Sequence, residues 1–222
     1  MLEPSRWNRM RTLVLVVLAA CGGPRSSTTA AGGNQATAAE VSLPAHFAGL
    51  FVAGEKSFRG ELVTSHQEES GPVTEKTPGE VTCTIRDVRA IRGGKVAELA
   101  CDGIELVNQI SGTFVGTPTG LWKVESGFAD DVARLDPAQA LFGAVPAKAR
   151  TESKDTDPDM EGGSAIVVEP HGGGWCVLVT SWGGDEGGWQ LCVQAGRGLI
   201  GGHGFFAGGE SRDAYFGDVR RL

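Results

Sequence analysis

The 222-residue sequence carries only four histidines, His46, His66, His171 and His203. No two of them share the spacing of a zinc site, so no metal site is expected. No serine lies in a G-x-S-x-G elbow, which excludes the common serine-hydrolase signature. Long apolar runs are also missing. The most apolar stretch, Thr12 to Ala20, is nine residues long, whereas a helix crossing a bilayer needs about 20. Basic residues are outnumbered, with 20 Lys and Arg against 27 Asp and Glu. An acidic surface repels nucleic acid and anionic lipid, which excludes both as partners held by charge.

What is there begins at the amino terminus. Met1 to Arg11 carries Arg6, Arg9 and Arg11 against Glu3. The apolar stretch follows, and then Ala19, Ala20, Cys21 and Gly22. A basic start, a short apolar core and a small-residue cut site define a secretory signal peptide over residues 1–20. Leu18-Ala19-Ala20-Cys21 resembles the lipobox of bacterial lipoproteins. The resemblance implies that the Cys21 thiol carries diacylglycerol, that the chain is cut just before it, and that the new amino terminus is acylated. Two or more acyl chains hold a protein stably on a membrane. Gly22 stands where an Asp would mark retention in the inner membrane, so the resemblance points to the cell envelope and to the outer membrane rather than the inner. Removal of residues 1–20 leaves 17 basic and 26 acidic side chains. The lipid, not charge, is then the membrane attachment. Residues 21–40 lack large apolar side chains after the cysteine and read as a flexible tether.

From residue 41 the texture is Gly-rich and β-branched. Glu80 to Ile91, Lys95 to Cys101, Ser164 to Glu169, Trp175 to Trp182 and Trp189 to Gln194 read as strands separated by turns. With Cys21 given to lipid, four cysteines remain, and an even count in an exported chain reads as two disulfides. If Cys83 faces Cys101, then Ile85 faces Leu99, Arg86 faces Glu98 and Val88 faces Val96. Apolar meets apolar and opposite charges meet, as cross-strand pairing requires. The loop is then Ile91-Arg92-Gly93. Cys176 opposite Cys192 likewise sets Val177 against Leu191 and Val179 against Trp189, around a Gly183-Gly184-Asp185 loop. The spacing therefore predicts two local disulfides, Cys83–Cys101 and Cys176–Cys192. Both hairpins are followed by an Ile-x-Gly strand, a Gly-rich turn and an aromatic strand, which reads as a tandem duplication.

The fold expected is all-β: one antiparallel Gly-rich sandwich or barrel over residues 41–222. Its halves run over 41–124 and 164–222, and 125–163 links them. Phe114, Trp122, Phe205 and Phe216 are expected to meet between the halves. One short helix is expected over Pro137 to Phe142, capped by Asp136 and ended by Gly143. A looser helical turn is expected near Asp130 to Arg134.

The candidate functional residues are few. Gly196 to Gly201 matches G-x-G-x-x-G, but the following Gly202-His-Gly-Phe-Phe-Ala-Gly-Gly cannot form the helix a dinucleotide site needs. No cofactor is expected. The carboxylates at Asp155, Asp157, Asp159 and Glu161 alternate along an acidic linker and lack the EF-hand pattern. Trp182, beside a Gly-Gly-Asp turn, could hold sugar or peptide through its amphipathic ring. His171 and His203, with Asp185 and Glu186, are the groups a scattered catalytic site would draw on. Two functions follow. The preferred one is a non-catalytic, lipid-anchored envelope module that binds a protein or glycan. The alternative is an envelope hydrolase built from those second-half turns. The sequence favours the first because it carries no catalytic motif.

Overall fold

Cys83 faces Cys101 and Cys176 faces Cys192 across adjacent antiparallel strands, and both pairs are disulfide-bonded. The computed structural model describes residues 41–125, 131–154 and 162–219. The residues read as signal peptide and tether, Cys21 among them, and the Asp155–Glu161 carboxylates lie outside the described residues.

The first half is a meander of β1 (Gly54–Glu68), β2 (Gly71–Ile91), β3 (Gly94–Asp102), β4 (Gly112–Thr117), β5 (Gly120–Val124) and the two-residue β6 (Phe142–Gly143). The second is a meander of β7 (Ala149–Lys154), β8 (Gly163–His171), β9 (Gly174–Trp182), β10 (Glu186–Gln194), β11 (Gly198–Ala207) and β12 (Ser211–Gly217). β1 pairs with β12, which joins the meanders into one 12-stranded antiparallel sheet in the order β6-β5-β4-β3-β2-β1-β12-β11-β10-β9-β8-β7. The chain is all-β, and the sheet curls into a half-barrel rather than splitting into a sandwich.

The second hairpin pairs as expected along its length, from Cys176–Cys192 to Glu186–Trp182. In the first, Ile85 faces Leu99 and Arg86 faces Glu98, but Val96 faces Arg89, not Val88. A β-bulge between Arg86 and Arg89 absorbs one residue, with Asp87 at φ 52°. The loop contracts to Arg92-Gly93, with Gly93 at φ 82°. A two-residue turn matches the twist of the flanking strands, and the bulge compensates for the residue it sheds.

The expected helix is a three-residue 3-10 turn, Pro137–Gln139. Asp136 caps it by accepting from the Ala138 amide at 2.9 Å. Six residues are too few to offset helix nucleation, and Phe142 gains more by burial as part of β6. Val132–Arg134 forms the preceding turn, capped by Asp131. The strand β1, with no clean alternation in GEKSFRGELVTSHQE, has no counterpart among the sequence-derived strands.

The main core fills the concave face of the sheet. Two short turns, Ala48–Phe51 and Val107–Ile110, pack against β3 and β11, which belong to different halves. They bring Phe47, Leu50, Phe51, Val107 and Ile110 into one cluster with Phe114 and Phe216. Trp122 and Phe205 are buried but do not join them. Trp122 lies opposite Val115 on the outer face, where its indole N–H donates to the Asp136 carbonyl at 2.8 Å. Phe205 is turned outward because the β10–β11 register shifts between Cys192 and Val193. One residue of shift exchanges the faces of everything beyond it.

In each of the meanders β1–β5 and β8–β12 the disulfide joins the second and third strands. Yet the two bonds lie on opposite faces. Cys83 and Cys101 belong to the interior cluster. Cys176 and Cys192 pack outside with Ile200 and Val219, while their neighbours Val177 and Leu191 point in.

Candidate binding cavity

Residues alternate across a strand, so one row of side chains runs over the concave face of β7 to β10. Thr151 faces Ile166, Ile166 faces Val179, and Val179 faces Trp189. A second row lies one step away, where Ser153 faces Ser164. The first row is mainly apolar and the second hydroxylic. Together they form one wall of an open cavity of about 620 Å³. The opposite wall comes from Lys123, Glu125, Gln139 and Leu141 on and after β5. The cavity is the space between the two ends of the curled sheet.

Lys123 is the one cationic side chain lining it, among the described residues. Leu121 and Lys123 share a face of β5, and Leu121 is fully buried in the core, so Lys123 is directed inward. Its aliphatic stem runs over Gly112 of the neighbouring strand, where a Cβ would come within 2.7 Å of Lys123 Cε. The Nζ donates to the Gln109 carbonyl at 2.6 Å and stands 4.5 Å from the centroid of the Trp189 ring. Among the described residues no carboxylate lies within ion-pair distance of it. Burial therefore dominates and pushes the ammonium down from 10.5 to about 8. Neither Lys123 nor Trp189 is distinguished by a motif. The only sequence signal is a lysine at the same strand parity as Leu121.

The sequence-predicted site residues are not brought together. Asp185 and Glu186 are exposed at the β9–β10 turn. His171 is at the β8–β9 turn, with Nε2 2.8 Å from the Asp218 carbonyl oxygen. The two turns lie at opposite ends of β9, roughly 30 Å apart for a nine-residue strand. His203 is wholly buried on the outer face, stacked parallel to Tyr215 at 4.2 Å, with Nε2 2.9 Å from Asp213 Oδ1. Trp182 is half-buried and lies over Gly163 on the adjacent strand, so its ring fills the sheet surface. The described residues contain no group of three or more His, Cys, Asp or Glu placed to hold a metal ion.

No protein-family model matches the chain, and no curated protein sequence matches it.

Proposed function

We propose that the protein is a lipid-tethered binding module of the bacterial envelope, which takes up a small amphipathic molecule between the ends of its half-barrel. The membrane address rests on the signal-peptide residues and the Leu18–Cys21 pattern. The binding role rests on one observation: a cavity of about 620 Å³ walled by an apolar row, Ile166, Val179 and Trp189, beside a row of serine hydroxyls. Its size is that of ordinary small-molecule sites, and its mixture of apolar wall and few polar groups is their usual lining. The hydrolase alternative loses support, because His171, His203, Asp185 and Glu186 stand apart.

The test uses the chain from residue 21 onward, carrying Cys21→Ser to keep it free of lipid. The neutral probe N-phenyl-1-naphthylamine should brighten on binding to it. Ser164→Trp, which fills the mouth of the cavity, should abolish the response while leaving the thermal melt in place. No brightening, or equal brightening in both proteins, would overturn the reading.

A further inference from the structure

Among the described residues the cavity contains two titratable side chains, Lys123 and Glu125. Both sit on the inward parity of the segment that begins with β5, but their surroundings differ. Glu125 is exposed at the rim and screened by solvent. Lys123 is deeper, with its stem against Gly112 and its ammonium over Trp189. An ammonium has three donors. One reaches the Gln109 carbonyl, and the Trp189 face takes up part of the remaining charge. No described carboxylate completes the set. An ammonium removed from water without an anionic partner is costly to a fold. Attraction to a bound anion would also be stronger here than at the rim, because the effective dielectric falls with depth.

The basic side chains elsewhere do not share this arrangement. In the cleft lined by Lys56, Arg59 and Arg197, Lys56 Nζ already donates to the carbonyls of Arg197 and Leu199, and Asp218 lines the same cleft. Arg212 is held by Glu105 and Glu210. Lys123 is thus set apart by depth, by the lack of any described carboxylate within ion-pair distance and by an adjoining apolar wall long enough to seat a ring or short chain.

We propose that the cavity selects an organic anion, whose negative group pairs with the Lys123 ammonium while its apolar body lies along Ile166 and Val179 beside Trp189. This rests on the cavity reading above. Carboxylate and sulfonate groups share the required chemistry, since each offers oxygen acceptors to a partly buried N–H donor. The serine row, Ser153 and Ser164, would meet further polar atoms of the ligand toward the mouth.

Two probes with the same apolar body separate this inference from the cavity reading. 1-Anilinonaphthalene-8-sulfonate carries a sulfonate, and N-phenyl-1-naphthylamine does not. The lipid-free chain from residue 21 should bind the sulfonate at least about tenfold more tightly, the scale of one charge-assisted hydrogen bond. Lys123→Met should remove that preference and leave the neutral probe bound as before. Lys123→Gln should behave alike, and an unchanged thermal melt in each variant would exclude binding to an unfolded chain. If the neutral probe binds but the sulfonate gains nothing, or if Lys123→Met leaves the sulfonate affinity unchanged, the anion inference is overturned and the cavity reading stands. If neither probe binds, both are overturned.

Discussion

Lys123 stands over the face of Trp189, with its Nζ 4.5 Å from the ring centroid. The two residues come from β5 and β10, and so from opposite halves of the sheet. The contact exists because the sheet curls until its ends share one cavity. It also places a partly buried cation on the cavity wall, and most of what can be tested about the cavity follows from that.

Lys123 adds a contribution of definite sign to the pH dependence of stability. The unfolded chain holds this proton up to the ordinary 10.5, whereas the folded chain releases it from about 8. Between those values the unfolded state binds more protons, so the Lys123 contribution to stability rises with pH. Below pH 8 both states are charged and the burial penalty is fully present. The signed change in urea midpoint from pH 7.5 to pH 9.5 should therefore be more positive in the parent than in Lys123→Met. An identical pH response in the two proteins would contradict the burial of this ammonium.

Gly202 is buried where β11 crosses the core. A Cβ built there would lie 2.6 Å from Ile110 Cδ1, 2.8 Å from the Gln190 carbonyl oxygen and 2.8 Å from Phe216 Cε1. Gly202→Val should destabilise the protein by about 1–3 kcal/mol or more through overpacking. Gly209→Val, at a turn with nothing within 4 Å, is the control and should change the urea midpoint little.

Each disulfide closes a similar loop, with sequence separations of 18 and 16. Chain-entropy reasoning assigns about 3 kcal/mol to each. Replacing both cysteines of one pair by alanine should cost that amount whichever pair is chosen, although one bond lies inside the half-barrel and the other outside. A large difference between the two double variants in urea titrations would show that packing around the sulfur atoms, rather than loop closure, sets their contribution.

The halves should not fold alone. Phe47, Phe114, Leu191, Leu199 and Phe216 belong to one cluster, and β1 completes its pairing on β12. A chain of residues 41–124 and one of 164–222 each lose the other wall of that core and expose a new sheet edge. Both should be unfolded or aggregated. A cooperative melt with dispersed amide NMR signals from either would show an independent domain.

Attachment through Cys21 is checked in cells. Radiolabelled palmitate should enter the parent chain, and Cys21→Ser should be unlabelled and either unprocessed or free of the membrane. Normal labelling of the variant would refute the lipid anchor.

The register of both hairpins near their cysteines was legible because period-two alternation and charge matching leave few ways to pair Cys83 with Cys101 or Cys176 with Cys192. The Asp136 cap was legible for a similar local reason, since Asp-Pro is a turn-starting pair whatever surrounds it. The candidate site was not. Trp182, His171, Asp185 and Glu186 stand out in sequence as aromatic or titratable groups beside turns, but turns at opposite ends of a strand do not meet. Lys123 and Trp189 are 66 positions apart and belong to no motif. Only the curl of the sheet makes them neighbours.

By itself the sequence determined the all-β class and the two staples, because alternation, turn residues and cysteine spacing act over a few residues. The proposal of export and of attachment through Cys21 also rests on sequence alone. Tertiary structure decided which face of each strand lies inside. The bulge near Asp87 and the register shift at Val193 each exchange the faces of the residues beyond them. The shift at Val193 is why Phe205 lies outside the main core, whereas Trp122 lies outside because it pairs with Val115, one residue out of step with the interior Phe114. The pleat sets only that faces alternate, and which face is buried depends on the partner it meets across the half-barrel. The cavity belongs to the same level, since its two walls come from strands at opposite ends of the sheet.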